Sequence, residues 1–314
     1  MLSGGDRAKV ETLFPPGRGM EVQPGCNAWG VSGKHTASGR PLLASDPHLM
    51  WSLPGVWYMV RIEAPGLKVA GVSLPGVPGV IIGHNEQIAW GVTNLGYDVQ
   101  DLYEERIDFA SGRYLVEGRV QAVAVEREVV AVKDSKSYDV PVVVTRHGPV
   151  IFSDGQRHFA LRWTAAEEGY EFPFLDLNRA KNWDEFRAAL KRFTGPGQNF
   201  VYADREGNIG YQATGKLPVR KYAGDVPTAG WTSESEWQGY VPFEELPSYF
   251  NPTGGIIVTA NQNPFPKDFK YPVHGDFAPH YRANQIAALL KAREGWKPDD
   301  FIAVQKDVYS QFSH

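Results

Sequence analysis

The chain has 314 residues, of which 42% are hydrophobic and 22% charged, with a formal net charge of -4, a balance typical of a globular protein with material for a large core. The acid excess argues against a nucleic-acid surface. No apolar run reaches the roughly 18 residues of a membrane helix, and "MLSGGDRAKV" lacks the apolar stretch of a signal peptide.

In chain order, residues 1–25 come first. "LFPPGRGMEVQPG" mixes proline and glycine without a sustained period, so 1–25 reads as a linker or spacer. From Cys26 the pattern predicts strands: "NAWGVSG", "VWYMVRIEA", "LKVAGVSL", "GVIIGHN" and "QIAWGVTN" are short Val-, Ile-, Trp- and Tyr-rich runs punctuated by Gly, Pro or Asn. Alternation continues through 119–134 and 137–150. "NWDEFRAALKRF" (182–193) predicts a helix with an Asn cap. "NFVYADREGNIGYQATG" (199–215) predicts a hairpin around "DREGN". A helix over 281–295 is expected to close at Gly295, and "KPDDFIAVQKDVYS" to start another. The chain stops soon after that start, so it reads as part of something larger.

The only cysteine, Cys26, stands directly after a glycine in "VQPGCNAWGVSG". It cannot form an internal disulfide, so the redox compartment stays open. Taken alone it would be a small buried hydrophobe. Its surroundings suggest more. "GCNAWGVSGKHTASGRPLLASDPHL" (25–49), "GVIIGHNEQIAWGVTNLGYDVQDLYEER" (79–106), "NFVYADREGNIGYQATGKLPVR" (199–220) and "GGIIVTANQNPFP" (254–266) occur in that order. Together they resemble the penicillin acylase (penicillin amidase) family of N-terminal-nucleophile hydrolases. The match is to the front half of the catalytic β chain, with cysteine where serine is usual.

The resemblance implies an α+β fold, an αββα sandwich of two stacked antiparallel sheets between helical layers, here incomplete, with 26–314 as the catalytic domain. It also implies that the Gly25–Cys26 bond is cut autoproteolytically. A thiol can attack the preceding carbonyl, and a glycine there leaves the carbonyl uncrowded. Cleavage frees an α-amine whose reference pKa, roughly 7.7–8.0, suits it to act as base for its own side chain. No G-x-S-x-G elbow is present, and none is needed.

By the same resemblance, the backbone N–H of Asn94 and the side-chain amide of Asn261 donate to the oxyanion, with Asn263 the competing choice for the second donor. His48 is expected beside the nucleophile, orienting its base, and Arg282 is expected to anchor the Asn261 region or a substrate carboxylate. His84 reads as a strand-end packing residue. Leu49 and Ile82 match acyl-pocket positions, and both are aliphatic. A phenylacetyl group and a fatty-acyl chain are therefore both admissible, so an N-acyl-homoserine-lactone or lipopeptide acylase stands beside a penicillin-type one. Asp98 and Asp101 are implied as side-chain ligands of one structural calcium ion, with the carbonyls of Gln100 and Pro218; hard oxygen donors suit that cation. A solvated acidic turn is the rival reading. No organic cofactor is expected.

The implied partners are a small-molecule acyl amide, an upstream α chain and the downstream remainder of the β chain; nucleic acid and membrane are not expected. The family suggests a periplasmic or secreted protein. Two other readings compete: an inert, unprocessed fragment of the same architecture, and an aromatic-rich β module that binds carbohydrate.

Overall fold

A computed structural model describes residues 25–313. The expected 1–25 linker lies outside these residues except for Gly25. Two sheets form the centre. One has seven strands, in the spatial order Ser248–Phe250, Ile209–Ala213, Gln198–Asp204, Ile88–Asn94, Ile82–Asn85, Leu67–Ser73 and Tyr58–Ala64. The other has Gly25–Val31 between Ile256–Thr259 and Leu42–His48. All the pairings in both are antiparallel.

The period-2 pattern of "NFVYAD" builds the layers. Phe200 and Tyr202 point outward, onto a cluster with Phe174, Leu177, Phe186 and Leu190 from helices Phe174–Arg179 and Trp183–Leu190. Val201 and Ala203 point inward, to Ala28 and Ile257 of the smaller sheet. Trp29 and Val31 face the far side, where helices Tyr281–Lys291 and Pro298–Gln305 supply Ile286, Leu290 and Phe301. Helix, sheet, sheet, helix is the expected αββα order. Burying both faces of each central strand explains its continuous apolar runs. The sheets approach closely at Gly91, where an added Cβ would lie 2.7 Å from that of Ser45.

Local expectations largely match. Asn182 caps its helix by accepting from the Glu185 N–H at 2.9 Å, and the 199–215 hairpin turns between Asp204 and Ile209. One boundary is corrected. The helix from Tyr281 ends at Lys291, and Gly295 (φ +71°) serves the turn that follows it, where the Trp296 N–H donates to the His35 carbonyl.

A third, six-stranded sheet places Asp101, Tyr103 and Glu105 on one face of strand Gln100–Glu105, covered by the segment 217–241. His147 fastens this cover. Its Nδ1–H donates to Glu105 Oε1 at 2.6 Å, its Nε2–H donates to Glu236 Oε1 at 2.8 Å, and the Tyr103 ring stacks on it at 3.7 Å. Burial alone would lower the imidazole pKa, but the hydrogen bonds and charges of Glu105 and Glu236 outweigh it and raise it above its ordinary value. Glu236 is held below the usual carboxylate range: its burial is outweighed by His147 and by the charges of Arg146 and Arg162.

The His147 contribution to stability is therefore complete below about pH 6.5 and lost as pH rises through the raised value. The Glu236 contribution is present above about pH 4.3 and lost as pH falls. Thermal melts should show a higher midpoint at pH 6 than at pH 9. His147→Gln should lower stability by about 3 kcal/mol at pH 6 and flatten that slope; an equal slope in wild type and variant would refute the assignment.

Candidate active site

Cys26 is the second described residue of the strand Gly25–Val31, and its partner across the sheet is Pro47. On the other side, pairing with Ile256–Thr259 stops at Ala28–Thr259, so the chain leaving Thr259 turns around the Cys26 end. Asn261 makes that turn with φ +67°, a left-handed conformation that asparagine tolerates better than most residues. Its side chain then reaches back. Cys26 N–H donates to Asn261 Oδ1 at 2.7 Å, and Asn261 Nδ2 donates to the Asn94 carbonyl at 2.9 Å.

Arg282, in the first turn of its helix, closes the group. Nη1 donates to the Cys26 carbonyl at 2.8 Å and to Asn27 Oδ1 at 2.7 Å, while Nη2 donates to Asn261 Oδ1 at 3.0 Å. Burial lowers the guanidinium pKa, and the charge of a Cys26 thiolate opposes that shift. Gly25 makes room for Arg282: a Cβ there would lie 3.2 Å from Nη2. The half-buried Cys26 thus has its nitrogen on an amide oxygen and its carbonyl on a guanidinium. An α-amine freed at this nitrogen would keep Asn261 Oδ1 as its acceptor.

Asn94 ends the strand Ile88–Asn94. Leu95 N–H donates to the Gly197 carbonyl at 2.9 Å, so the pleat turns the N–H and carbonyl of Asn94 away from that neighbouring strand. Asn261 Nδ2 meets the carbonyl on that side. An amide nitrogen carries two protons, and one bond to Asn94 leaves a second donor for an oxyanion.

The structure thus brings together Gly25, Cys26, Asn94, Asn261 and Arg282. Asn263 turns elsewhere, accepting from the Phe265 N–H at 2.9 Å. His48 pairs with Gly25 in register, but its exposed imidazole bonds Asp46 Oδ2 at 3.0 Å. His84 bonds the Asn85 carbonyl at 3.2 Å. Leu49 is half-buried, and Ile82 packs in the outer core cluster with Val69 and Trp90. Beyond Leu49 the apolar side chains stand open: Trp51 and Leu53 are both 100% exposed. A cavity of about 620 Å³ extends from Asn94 past Tyr97 and Asp98 to Asp276, apart from Cys26 and Leu49.

The acidic turn is more connected than its sequence suggests. Arg220 Nε donates to Asp101 Oδ2 at 2.7 Å, its Nη1 donates to the Asp98 carbonyl at 3.1 Å, and Trp237 Nε1 also donates to Asp101 Oδ2. The Gln100 carbonyl faces Arg220 Nη2 at 3.5 Å, and Pro218 forms a bridge with Tyr240. Asp101 Oδ1 is buried without a hydrogen-bond partner, and it and Asp98 Oδ2 each lie 3.0 Å from where a Gly224 Cβ would stand. Burial raises the Asp98 pKa, against the opposing Gln100 N–H and Arg220 charge. An orphaned carboxylate oxygen fits a hard cation. Among the described residues, however, no group of three or more His, Cys, Asp or Glu converges on one point, so carbonyls or further ligands would have to complete a shell. Sequence reading missed Arg220, whose only signal is its place two residues after Pro218.

A cysteine whose backbone N–H is held by an amide side chain, at the start of a central strand of an αββα sandwich, is the arrangement of an N-terminal-nucleophile hydrolase. The model of the penicillin amidase family matches residues 2–314, and the chain belongs to that family. It is 33% identical over 294 residues to a penicillin acylase 2 proenzyme of Pseudomonas sp. strain SE83, covering 91% of this chain and 38% of that protein. It is also 33% identical over 304 residues to the acyl-homoserine lactone acylase QuiP of Pseudomonas aeruginosa, covering 91% and 36%. Among solved structures it resembles a thermostable penicillin G acylase from Alcaligenes faecalis, with TM-score 0.78 and 26% identity over 88% of this chain and 51% of that one. The chain spans less than two fifths of the length of these two curated relatives.

Proposed function

We propose that the chain is the nucleophile-bearing part of an acyl-amide hydrolase. Its Sγ attacks the Gly25 carbonyl and displaces the Cys26 nitrogen, and water hydrolyses the resulting thioester to release residues 1–25 and restore the thiol. The new terminus then cleaves an N-acyl amide through a second thioester on Cys26. The attack forms the S–C bond, the α-amine takes the thiol proton, and the leaving amine departs with a proton. Water then hydrolyses the thioester to the free acid. The observation that carries this reading is the Cys26 N–H to Asn261 Oδ1 bond, which ties the prospective base to the prospective oxyanion donor.

Within that class we favour amides of aliphatic acyl chains, of the acyl-homoserine-lactone type, over penicillin side chains. The relative named for that activity is as similar as the one named for penicillin, and the open apolar run after Leu49 offers hydrocarbon contact beside the nucleophile strand. The test is an intact mass showing loss of residues 1–25, followed by kcat/KM on decanoyl-homoserine lactone and on penicillin G. A preference of about tenfold or more for the lactone is expected, since each methylene contributes roughly 1–3 kcal/mol in an apolar pocket. The reverse preference restores the penicillin reading, and a full-length mass with neither activity supports an inert fragment.

We also propose one structural calcium ion held by Asp98 and Asp101, with carbonyl ligands from Gln100 and Pro218 after Arg220 shifts. The partnerless Asp101 Oδ1 supports it. Millimolar calcium should raise the melting temperature by several degrees, and EDTA should reverse the gain. An unchanged midpoint would leave Arg220 as the only balancing charge on this pair.

A further inference from the structure

Behind the two oxyanion donors lies a buried polar chain that the proposed chemistry does not use. Asn199, Thr93, Thr259 and Tyr211 are all at most 2% exposed. Asn199 Nδ2 donates to Thr93 Oγ1 at 3.0 Å and lies 3.2 Å from the Asn94 carbonyl and 3.4 Å from the Thr93 carbonyl. Tyr211 OH donates to Asn199 Oδ1, which fixes which end of the amide is the donor. Thr93 Oγ1 accepts from Asn199 and also shares a hydrogen bond with Thr259 Oγ1 at 2.8 Å. Thr259 in turn lies two residues before Asn261.

We propose that Asn199, oriented by Tyr211, is a positioning residue for the oxyanion pair. The Asn94 N–H and the Thr93 carbonyl belong to one planar peptide, so holding that carbonyl sets the direction of the N–H. The Asn94 carbonyl, which accepts from Asn261, lies 3.2 Å from the same Asn199 nitrogen, whose second proton it shares with the Thr93 carbonyl. The Thr93–Thr259 bond ties this strand end to the segment that carries Asn261. One buried amide therefore sets both donors relative to each other. Donors of this kind act only within a few tenths of an ångström of their best distance, and a displacement of about 1 Å can cost roughly 100-fold in rate. The inference rests on the acylase reading and has a separate failure.

The test uses the full-length, processed protein, with active sites counted by iodoacetamide labelling of Cys26, the only cysteine. Asn199→Asp keeps the shape and removes the donor; Tyr211→Phe removes only the hydroxyl. Per labelled site, kcat should fall roughly 100-fold in the first and about tenfold in the second, with KM within about threefold and the labelling rate little changed. A purely structural role would lower the labelled fraction and the melting temperature but leave kcat per labelled site within twofold, and that result overturns the proposal. If the Asp variant does not fold, Tyr211→Phe decides alone. A wild type that cleaves no amide overturns the acylase reading beneath it.

Discussion

Cys26→Ala should leave the Gly25–Cys26 bond intact and remove amide hydrolysis, a loss of roughly 10⁶-fold in kcat by analogy with other nucleophile deletions. The effect is this large because one atom carries two functions in sequence. Without Sγ nothing attacks the Gly25 carbonyl, so no α-amine is released, and the base is lost along with the nucleophile. The hydrogen bond from Cys26 N–H to Asn261 Oδ1 should survive in the variant, since residue 26 contributes only its backbone to it. Folding and the Arg282 contacts should therefore be retained, and the defect should be chemical. Cys26→Ser restores an attacking oxygen and should mature and turn over amides, while becoming insensitive to iodoacetamide. Intact mass, amide hydrolysis and alkylation sensitivity together read out the series. An alanine variant that still loses residues 1–25 would sink the self-cleavage model.

The layered fold was legible in the sequence because its cause is local. A strand buried on both faces reads as an unbroken apolar run, and "NFVYAD" and "NAWGV" both show it. The candidate nucleophile was legible as a residue type after a glycine, though the physical need for that glycine, the Arg282 guanidinium packed over it, became visible only in three dimensions. The choice between Asn261 and Asn263 was not legible, because both lie in one short loop and only the left-handed turn at Asn261 aims its amide at Cys26. Least legible were the polar networks. Asn199 meets Thr93 across 106 positions and Arg220 meets Asp101 across 119, and no spacing rule links residues so far apart. His147 with Glu105 and Glu236 belongs to the same class. Such contacts depend on strand register, which is set by the whole sheet.

Asn261 is the position where the second largest effect is expected, and three substitutions separate its roles. Its amide nitrogen is the proposed oxyanion donor, and its oxygen holds Cys26 N–H and Arg282 Nη2. Asn261→Ala removes both, and at φ +67° it also adds backbone strain of about 1 kcal/mol. Asn261→Gly removes the same groups without the strain. Both should lose roughly 10²–10³ in kcat, the usual cost of one deleted oxyanion donor, with the glycine variant the more stable. Asn261→Asp keeps the acceptor oxygen and replaces the donor with negative charge near the developing oxyanion. It should hold Cys26 N–H and Arg282 at least as well as wild type, yet lose as much kcat as the glycine variant or more. The comparison turns on that asymmetry. If the oxygen alone mattered, the aspartate variant would retain activity and the glycine variant would not. If the donor matters, both fail. A glycine variant within tenfold of wild type per labelled Cys26 would remove Asn261 from the chemistry and leave the Asn94 N–H as the lone candidate for the oxyanion.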